Sequence, residues 1–225
     1  MSIDSEVEQY LLSILPGSRL KTYQLDHQIK LCLLDQEFDD RFLDQVVVDR
    51  LGDAPPYWIF CWASGMALSK EILSRKAFFQ DKRVLDFGSG CGVVAIAAAL
   101  AGADVTACEI DPIARKMIKH NSNLNEVEVV LVDDLQVVEG KFDVVLAADV
   151  LYEKSNLKLL DLLLNYSSQV VFADSRLKSL SHSQYDLIGS SSCVTFPDYN
   201  EARAHNEVLF FASTNFFNLE PQQNA

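Results

Sequence analysis

One stretch, RVLDFGSGCGVVAIAAA at residues 83–99, constrains the fold of this chain more than any other. An apolar run reaches an acid, Asp86, and three glycines follow, alternating with Ser89 and Cys91. A helical pattern of small residues begins at once. Such a stretch is typical of a buried strand that turns tightly into a helix, where bare backbone lets a ligand lie close. It therefore predicts an α/β unit with a ligand at the turn.

Strand and helix patterns alternate along most of the following chain. Apolar runs such as DVTACEI, FDVVLAA and QVVFAD are separated by helical segments of about 10–13 residues, which indicates a mostly parallel sheet with helices on both faces. Asp111 followed by Pro112 predicts the start of one of these helices. A further helix is expected around SHSQYDLI, and the runs SCVTF and EVLFFAS are expected to pair antiparallel at the sheet edge.

The first part of the chain carries a separate set of signals. Ser5 and Glu8 form a capping-box pattern before a short helix, and KTYQL and IKLCLLD predict two strands. Two prolines in GDAPPYW mark a boundary. We therefore predict three regions: an N-terminal helix with short strands that caps the core, the main domain, and a disordered polar tail, over residues 1–54, 55–217 and 218–225.

Composition argues against several classes of protein. The net charge of −13 argues against a nucleic-acid partner, whose phosphates would be repelled. Five cysteines without a CxxC pair, and histidines without ligand spacing, predict a reduced setting and no metal site. The first residues lack the features of a signal peptide, and no apolar run reaches the roughly 18 residues of a membrane span. We expect a cytoplasmic protein that does not bind membranes.

The spacing of the glycines indicates which ligand the turn holds. Gly88, Gly90 and Gly92 follow the pattern G-x-G-x-G, whereas a dinucleotide fingerprint would require a glycine at Val93. The loop also lacks the Gly-Lys-Ser/Thr of a phosphate-binding P-loop. Asp86, just before the turn, would repel a phosphate but suits a cationic amino-acid group. These features favour S-adenosylmethionine over NAD.

Acids at the ends of the next two strands support this ligand. Glu109 lies 21 residues after Gly88, where an acid would accept hydrogen bonds from ribose hydroxyls, and Asp133 and Asp134 could reach the adenine amino group. Any one such acid could equally be a cap or a solvated turn, but their order and spacing favour a binding site. The predicted cofactor-binding residues are Asp86, Gly88, Ser89, Gly90, Gly92, Glu109, Ile110, Asp133 and Asp134.

Four motifs carry a family resemblance: PYWIFCWASGMAL, VLDFGSGCGVVAIAA, EIDPIA and AADVLYE. Together they resemble the class I (seven-stranded) S-adenosylmethionine-dependent methyltransferases. More narrowly, they are similar to the branch that contains the electron-transfer-flavoprotein β-subunit lysine methyltransferases and relatives labelled nicotinamide N-methyltransferase-like. The resemblance implies a Rossmann-like seven-stranded sheet, a methyltransferase domain over 55–217, and cofactor contacts by Trp62 and Ala148. The segment ADSRL departs from the Asp-Pro-Gly-Arg run of many relatives, so the resemblance defines the substrate side less fully.

The resemblance also implies where the reaction occurs. DVLY, from Asp149 to Tyr152, stands where related enzymes carry their substrate motif. Val150 and Leu151 replace the two prolines of Asn/Asp-Pro-Pro-Tyr, the motif that binds flat amides and bases. The remaining pair, Asp149 and Tyr152, is therefore similar to the arrangement of lysine-modifying enzymes. We expect Asp149 to bind and aim an amine, and Tyr152 to contact its alkyl chain or nitrogen. The structural alternative is that Asp149 caps the following helix and Tyr152 packs in the core.

These expectations combine into one leading function. The chain is expected to transfer a methyl group from S-adenosylmethionine to a lysine ε-amine of a protein substrate, releasing S-adenosylhomocysteine without a metal. One alternative is a small-molecule N-methyltransferase acting on a nicotinamide-like ring or a free amine. A pyridine nitrogen already has its lone pair and needs an aromatic slot more than an aiming acid, so DVLY favours an amine. The second alternative is a non-catalytic, cofactor-binding subunit.

Overall fold

The structure is a computed structural model that describes residues 3–25, 29–39, 44–53, 55–138, 140–151, 154–198 and 202–214. Its N-terminal layer contains, in order, α1 (Ser5–Ile14), β1 (Leu20–Leu25), β2 (Ile29–Leu34) and α2 (Gln45–Asp53). The two predicted strands pair antiparallel. The predicted cap of α1 is wrong by one residue: the extended Asp4, not the helical Ser5, accepts the Glu6 amide at 2.9 Å, because a cap must precede the helical backbone.

Seven further strands form the central sheet and confirm the predicted fold class. Their order across the sheet is β5-β4-β3-β6-β7-β9-β8, and of these seven strands β9 alone runs antiparallel to the other six. The order reverses on either side of β3, so β4 and β6 flank the strand that opens the glycine turn. The strands are β3 (Arg83–Phe87), β4 (Asp104–Cys108), β5 (Val130–Val132), β6 (Val144–Ala148), β7 (Val170–Asp174), β8 (Tyr185–Ser192) and β9 (Glu207–Ser213).

Helices cover both faces of this sheet. Val84 and Leu85, adjacent in β3, belong to opposite hydrophobic clusters, as alternation along a strand requires. The Val84 cluster contains α3 and α5, and the Leu85 cluster contains α7. Asp111 caps α6 as predicted, its carboxylate accepting the Ile113 amide at 2.8 Å. The helices are α3 (Ala63–Ser74), α4 (Lys76–Phe79), α5 (Val93–Leu100), α6 (Pro112–Leu124) and α7 (Lys158–Leu163).

The last part of the sheet differs from the prediction. The segment SHSQYDLI was expected to be helical, but Tyr185 begins β8, which pairs antiparallel with β9. Pairing with β9 and packing of Tyr185 on Phe172 outweigh the local helical pattern. Of the run SCVTF, only Ser192 belongs to a strand, as the last residue of β8: Phe196 makes an isolated bridge with Cys61, and Pro197, which follows, has no amide hydrogen for a ladder.

Other predictions concern regions that the structure describes only in part. Residues 218–225, the predicted tail, lie outside the described residues. The division between residues 54 and 55 falls just after α2 and stays a prediction. No helix within the described ranges is long and apolar enough to cross a bilayer.

Asn121 of α6 connects the N-terminal layer to the glycine turn. Its side-chain oxygen accepts the Cys32 amide of β2 at 2.8 Å, and its side-chain nitrogen donates to the Cys91 carbonyl at 2.9 Å. Asn121 and both partners are buried. The Asn121 side chain therefore fixes the position of β2 relative to the glycine turn.

Replacing Asn121 is expected to destabilise the protein. Asn121→Ala leaves two buried backbone groups without a partner, which costs about 2–4 kcal/mol in the free energy of unfolding. Urea denaturation followed by circular dichroism measures this. Asn123→Ala, on the same helix at a half-buried position, is the control and should change stability by less than about 1 kcal/mol. Equal losses for the two variants would contradict the connecting role.

Candidate functional site

A cavity of about 600 Å³ opens where β3, β4 and β6 end. The carboxyl ends of these neighbouring parallel strands meet on either side of the point where strand order reverses, the usual ligand position in such sheets. The cavity is lined by Pro55, Tyr57, Trp58, Trp62, Phe87, Gly88, Gly90, Glu109, Ile110, Asp111, Ala114, Ala148, Asp149, Val150, Asn156, Leu159 and Arg176.

The glycine turn forms the floor of the cavity and requires its glycines. Gly88 has φ +70°, and a Cβ there would lie 2.8 Å from Cγ1 of Val150. The turn after β3 thus packs directly on the turn after β6. Gly90 has φ +53°, and a Cβ there would meet no atom within 4 Å, so its bare backbone faces open space. The turn therefore offers both close packing and an exposed backbone surface.

Glu109 forms one wall beside this turn. Its carboxylate accepts the Gly90 amide at 2.9 Å and the Asp111 amide at 3.0 Å. These bonds hold the side chain across the opening of the turn. Its neighbour Ile110 is 83% exposed and also lines the cavity. Glu109 thus presents a fixed acceptor at the cavity wall.

Asp149 lies on the opposite side and is held by four donors. Its Oδ1 accepts the Ser64 hydroxyl at 2.7 Å, the Ser175 hydroxyl at 2.8 Å and the Ser175 amide at 3.0 Å. Its Oδ2 accepts the Ser64 amide at 3.2 Å. The backbone of Asp149 is left-handed, with φ +52°. The carboxylate thus caps α3, which precedes it in the chain, rather than the helix that follows it.

Trp62 and Arg176 form the outer wall. The Trp62 indole donates to the Tyr57 carbonyl at 2.9 Å, and the Arg176 guanidinium lies 5.2 Å from its ring centroid, within range of a cation–π contact. Arg176 follows β7, where its amide donates to Oδ1 of Asp174 at 2.9 Å. Arg176 is the one cation among the cavity residues named above, alongside the carboxylates of Glu109, Asp111 and Asp149.

The structure brings seven of the predicted site residues to this cavity. They come from segments far apart in the chain: Trp62, Gly88, Gly90, Glu109, Ile110, Ala148 and Asp149. Tyr152 lies outside the described residues. Asp133 and Asp134 are exposed and do not line the cavity; Asp134 caps the short 3₁₀ helix Leu135–Val137 by accepting the Gln136 amide.

Asp86 also lies away from the cavity, because its carboxylate turns into the core. Its Oδ2 accepts the Ala95 amide of α5 at 3.1 Å, and its carbonyl accepts the Ser89 hydroxyl at 3.0 Å. Neither Ser89 nor Gly92 lines the cavity; a Cβ on Gly92 would press on Ile118 at 3.1 Å. These three residues support the backbone of the turn and do not line the cavity.

Several cavity residues were not predicted from the sequence. Arg176 stood in ADSRL, where the departure from the relatives' motif gave the only signal. Ser64 in WASG and Ser175 in ADSRL, which hold Asp149 without lining the cavity, stood in these motifs, but nothing local marked them as its partners. Asn156 donates to the Val150 carbonyl at 3.0 Å and so steadies the turn after β6. Within the described part of the chain, no group of three or more His, Cys, Asp or Glu residues could hold a metal ion.

The buried Asp86 gives a testable pH dependence. Burial raises the pKa of its carboxyl from 3.8 to about 7. The folded protein therefore binds more protons than the unfolded chain between these values, and the free energy of unfolding falls as the pH rises from about 4 to 7. The fall is up to about 1.4 kcal/mol per pH unit.

Urea denaturation at pH 5, 6, 7 and 8 measures this trend. Asp86→Asn, which mimics the protonated carboxyl, is expected to flatten it. Asp104→Asn, an exposed acid at the start of β4, is the matched control and should keep the wild-type slope. An unchanged slope in Asp86→Asn would show that other groups cause the pH dependence.

Sequence comparisons relate this chain to methyltransferases. A family model described as "Ribosomal protein L11 methyltransferase (PrmA)" matches residues 67–157. The electron transfer flavoprotein beta subunit lysine methyltransferase of Mus musculus is 42% identical over 103 residues, covering 44% of this chain and 40% of the relative. EEF1A lysine methyltransferase 3 of Mus musculus is 30% identical over 150 residues, covering 63% of this chain and 61% of the relative. The matched region thus spans less than two thirds of either relative.

Comparison with solved structures gives the same fold. The magnesium protoporphyrin IX methyltransferase of Synechocystis PCC 6803, solved with bound S-adenosylmethionine, superposes with a TM-score of 0.53 at 15% identity. The match covers 80% of this chain and 88% of that one. This chain is thus similar in fold to the class I (seven-stranded) S-adenosylmethionine-dependent methyltransferases, and over the matched residues its sequence is similar to lysine methyltransferases of the electron-transfer-flavoprotein β-subunit.

Proposed function

We propose that this chain is an S-adenosylmethionine-dependent N-methyltransferase that methylates a lysine ε-amine of a protein substrate. One observation carries the proposal: the glycine turn, Glu109 and Asp149 meet in one cavity at the ends of three neighbouring strands. An exposed backbone and a fixed carboxylate suit a nucleoside cofactor. A second carboxylate across the same cavity suits a cationic acceptor.

The residues present fit the cofactor. The cavity, at about 600 Å³, lies in the range of cofactor sites. Glu109 can accept hydrogen bonds from ribose hydroxyls, and Gly90 lets a ligand approach its backbone. Gly88 keeps that backbone in place through its contact with Val150. The bound cofactor would supply an electrophilic methyl on a sulfonium, and Asp149 and Glu109 place negative charge near that cation.

The acceptor must offer a nitrogen lone pair in line with the methyl. A lysine with its ordinary pKa near 10.4 must lose a proton first, which costs about 4–5 kcal/mol at pH 7. Burial and a nearby sulfonium both lower the pKa of that lysine, and alignment contributes several kcal/mol more. The proton leaves to water. The site's task is therefore to desolvate and align the amine.

Asp149 is proposed to bind and aim this amine. Its Oδ1 already accepts three hydrogen bonds, whereas Oδ2 accepts one, from the Ser64 amide. Oδ2 therefore has the capacity to accept an N–H from a substrate amine. A carboxylate favours the ammonium form, so its role is orientation rather than proton removal. Tyr152 is proposed to contact the lysine chain beside it.

The relatives favour a protein substrate. Two of them carry names that give a lysine of a protein as the acceptor, the electron transfer flavoprotein beta subunit and EEF1A. The net charge of −13 suits a basic protein partner and disfavours nucleic acid. A cytoplasmic location is proposed on the five cysteines, all of them free and buried.

The first test is methyl transfer from tritiated S-adenosylmethionine. The purified chain is incubated with electron transfer flavoprotein β-subunit, with EEF1A and with a cell extract, beside Glu109→Ala as the cofactor-site control. A labelled protein band with methyl-lysine by mass spectrometry, absent in Glu109→Ala, is the expected result. Label confined to small molecules would favour the metabolite enzyme. Absence of any label despite cofactor binding would favour a non-catalytic subunit.

Gly88 gives an independent prediction about the cofactor. Gly88→Ala forces a Cβ against Val150 and strains a left-handed backbone, so S-adenosylhomocysteine should bind at least about tenfold more weakly. Isothermal titration calorimetry measures this affinity. Gly17→Ala is the matched control, because Gly17 has φ +80°, meets no atom within 4 Å and is not among the cavity residues. Equal affinities of Gly88→Ala and Gly17→Ala would contradict binding at this turn.

A further inference from the structure

The four bonds to Asp149 join two segments that also carry the outer wall of the cavity. Ser64 lies in the first turn of α3, two residues after Trp62, and Ser175 immediately precedes Arg176. Both serines are fully buried and donate both hydroxyl and amide to the same carboxylate. The Asp149 side chain thus fixes the backbone positions from which the side chains of Trp62 and Arg176 extend.

The two wall residues meet above the cavity. Arg176 lies 5.2 Å from the ring centroid of Trp62, and Trp62 is itself tied to the Tyr57 carbonyl. Their backbones belong to different elements, the start of α3 and the turn after β7. Side-chain hydrogen bonds from Ser64 and Ser175 to Asp149 connect these two elements. The separation of the Trp62 ring from Arg176 therefore depends on that connection.

We propose that Ser64 and Ser175 are positioning residues that act through the Asp149 carboxylate. They hold Trp62 and Arg176 together as the outer wall of the cavity, and by occupying Oδ1 they leave Oδ2 as the acceptor for the substrate. The role of the serines in holding Trp62 and Arg176 follows from the contacts alone. The role of Oδ2 as the substrate's acceptor rests on the proposed function.

Hydrogen-bond capacity explains why both serines are needed. Loss of one hydroxyl leaves a buried, charged oxygen with one donor fewer, and the carboxylate can then rotate toward other donors. Rotation would exchange the roles of Oδ1 and Oδ2 and loosen one wall element. The left-handed backbone of Asp149, with φ +52°, limits the choice of a variant without the carboxylate, because glycine tolerates that conformation while most residues do not. Asp149→Gly removes both acceptor oxygens, whereas Asp149→Asn would keep an amide oxygen that can accept the same bonds.

The experiment is a double-mutant cycle. Ser64→Ala and Ser175→Ala are each made with Asp149 intact and with Asp149→Gly, all in a Trp58→Phe background that leaves Trp62 as the one tryptophan of the two. Acrylamide quenching of Trp62 fluorescence reports the wall, and S-adenosylhomocysteine affinity reports the intact cofactor side. Ser69→Ala is the matched control: Ser69 is a buried serine of α3 whose hydroxyl donates to the Met66 carbonyl instead.

With Asp149 intact, each serine variant is expected to raise the quenching constant of Trp62 clearly above that of Ser69→Ala, with a smaller loss of S-adenosylhomocysteine affinity than in Gly88→Ala. In the Asp149→Gly background the same changes should have little further effect, because the acceptor is already absent. The proposal would be overturned if a serine variant changed the Trp62 quenching constant equally in the two backgrounds, or no more than Ser69→Ala does. Should Ser64→Ala fail to fold, Ser175→Ala carries the same cycle.

Where a protein substrate is methylated, the KM for that substrate should rise about three- to tenfold in either serine variant, with a smaller change in kcat. An unchanged substrate KM would overturn the role of Oδ2 while leaving the fluorescence result on the wall intact. Fluorescence and cofactor affinity require no methyl transfer. Failure of the proposed function is therefore distinguishable from failure of this inference.

Discussion

The hydrogen bonding of the Asp149 carboxylate is the interaction on which the outer wall of the cavity depends. The carboxylate lies just beyond β6, and its donors come from the start of α3 and from the turn after β7. Backbone ladders hold the strands themselves, but they end where the strands end. Beyond that edge, the side-chain bonds to Asp149 tie the turn after β7 and the start of α3 to the turn after β6. A carboxylate can accept several donors at once, so a single residue can unite three turns.

The side of the cavity formed by the glycine turn depends on a different constraint, the close packing of two turns. Gly88 and Val150 approach so closely that a single methyl group would separate the turns after β3 and β6. This packing leaves the backbone of Gly90 open to the cavity and brings Glu109 across it. The cavity is thus built from close contact on one side and hydrogen bonding on the other. Its three carboxylates and single guanidinium give it a net negative field suited to cationic ligands.

Local rules predicted most of the elements. The alternation of apolar strands with helices predicted the parallel sheet, the Asp111-Pro112 pair predicted the start of α6, and the glycines marked the turn after β3. Predictions were wrong where pairing between distant segments decided the structure. The residues around Tyr185 have a helical pattern, but they form β8 because they pair with β9. The cap of α1 differed because Asp4 and Ser5 are both good caps, and only the backbone conformation selects between them.

The sequence by itself determined the glycine turn, the acid after β4 and the acid after β6, because each follows from spacing along neighbouring strands. Tertiary structure decided which of the predicted acids face the cavity. Asp86 turns into the core to meet α5, a contact that no local pattern marks. It also decided the bonds to Asp149, whose partners Ser64 and Ser175 lie 85 and 26 residues away along the chain. Convergence of distant side chains is set by how helices pack on the sheet, and local sequence carries no record of that packing.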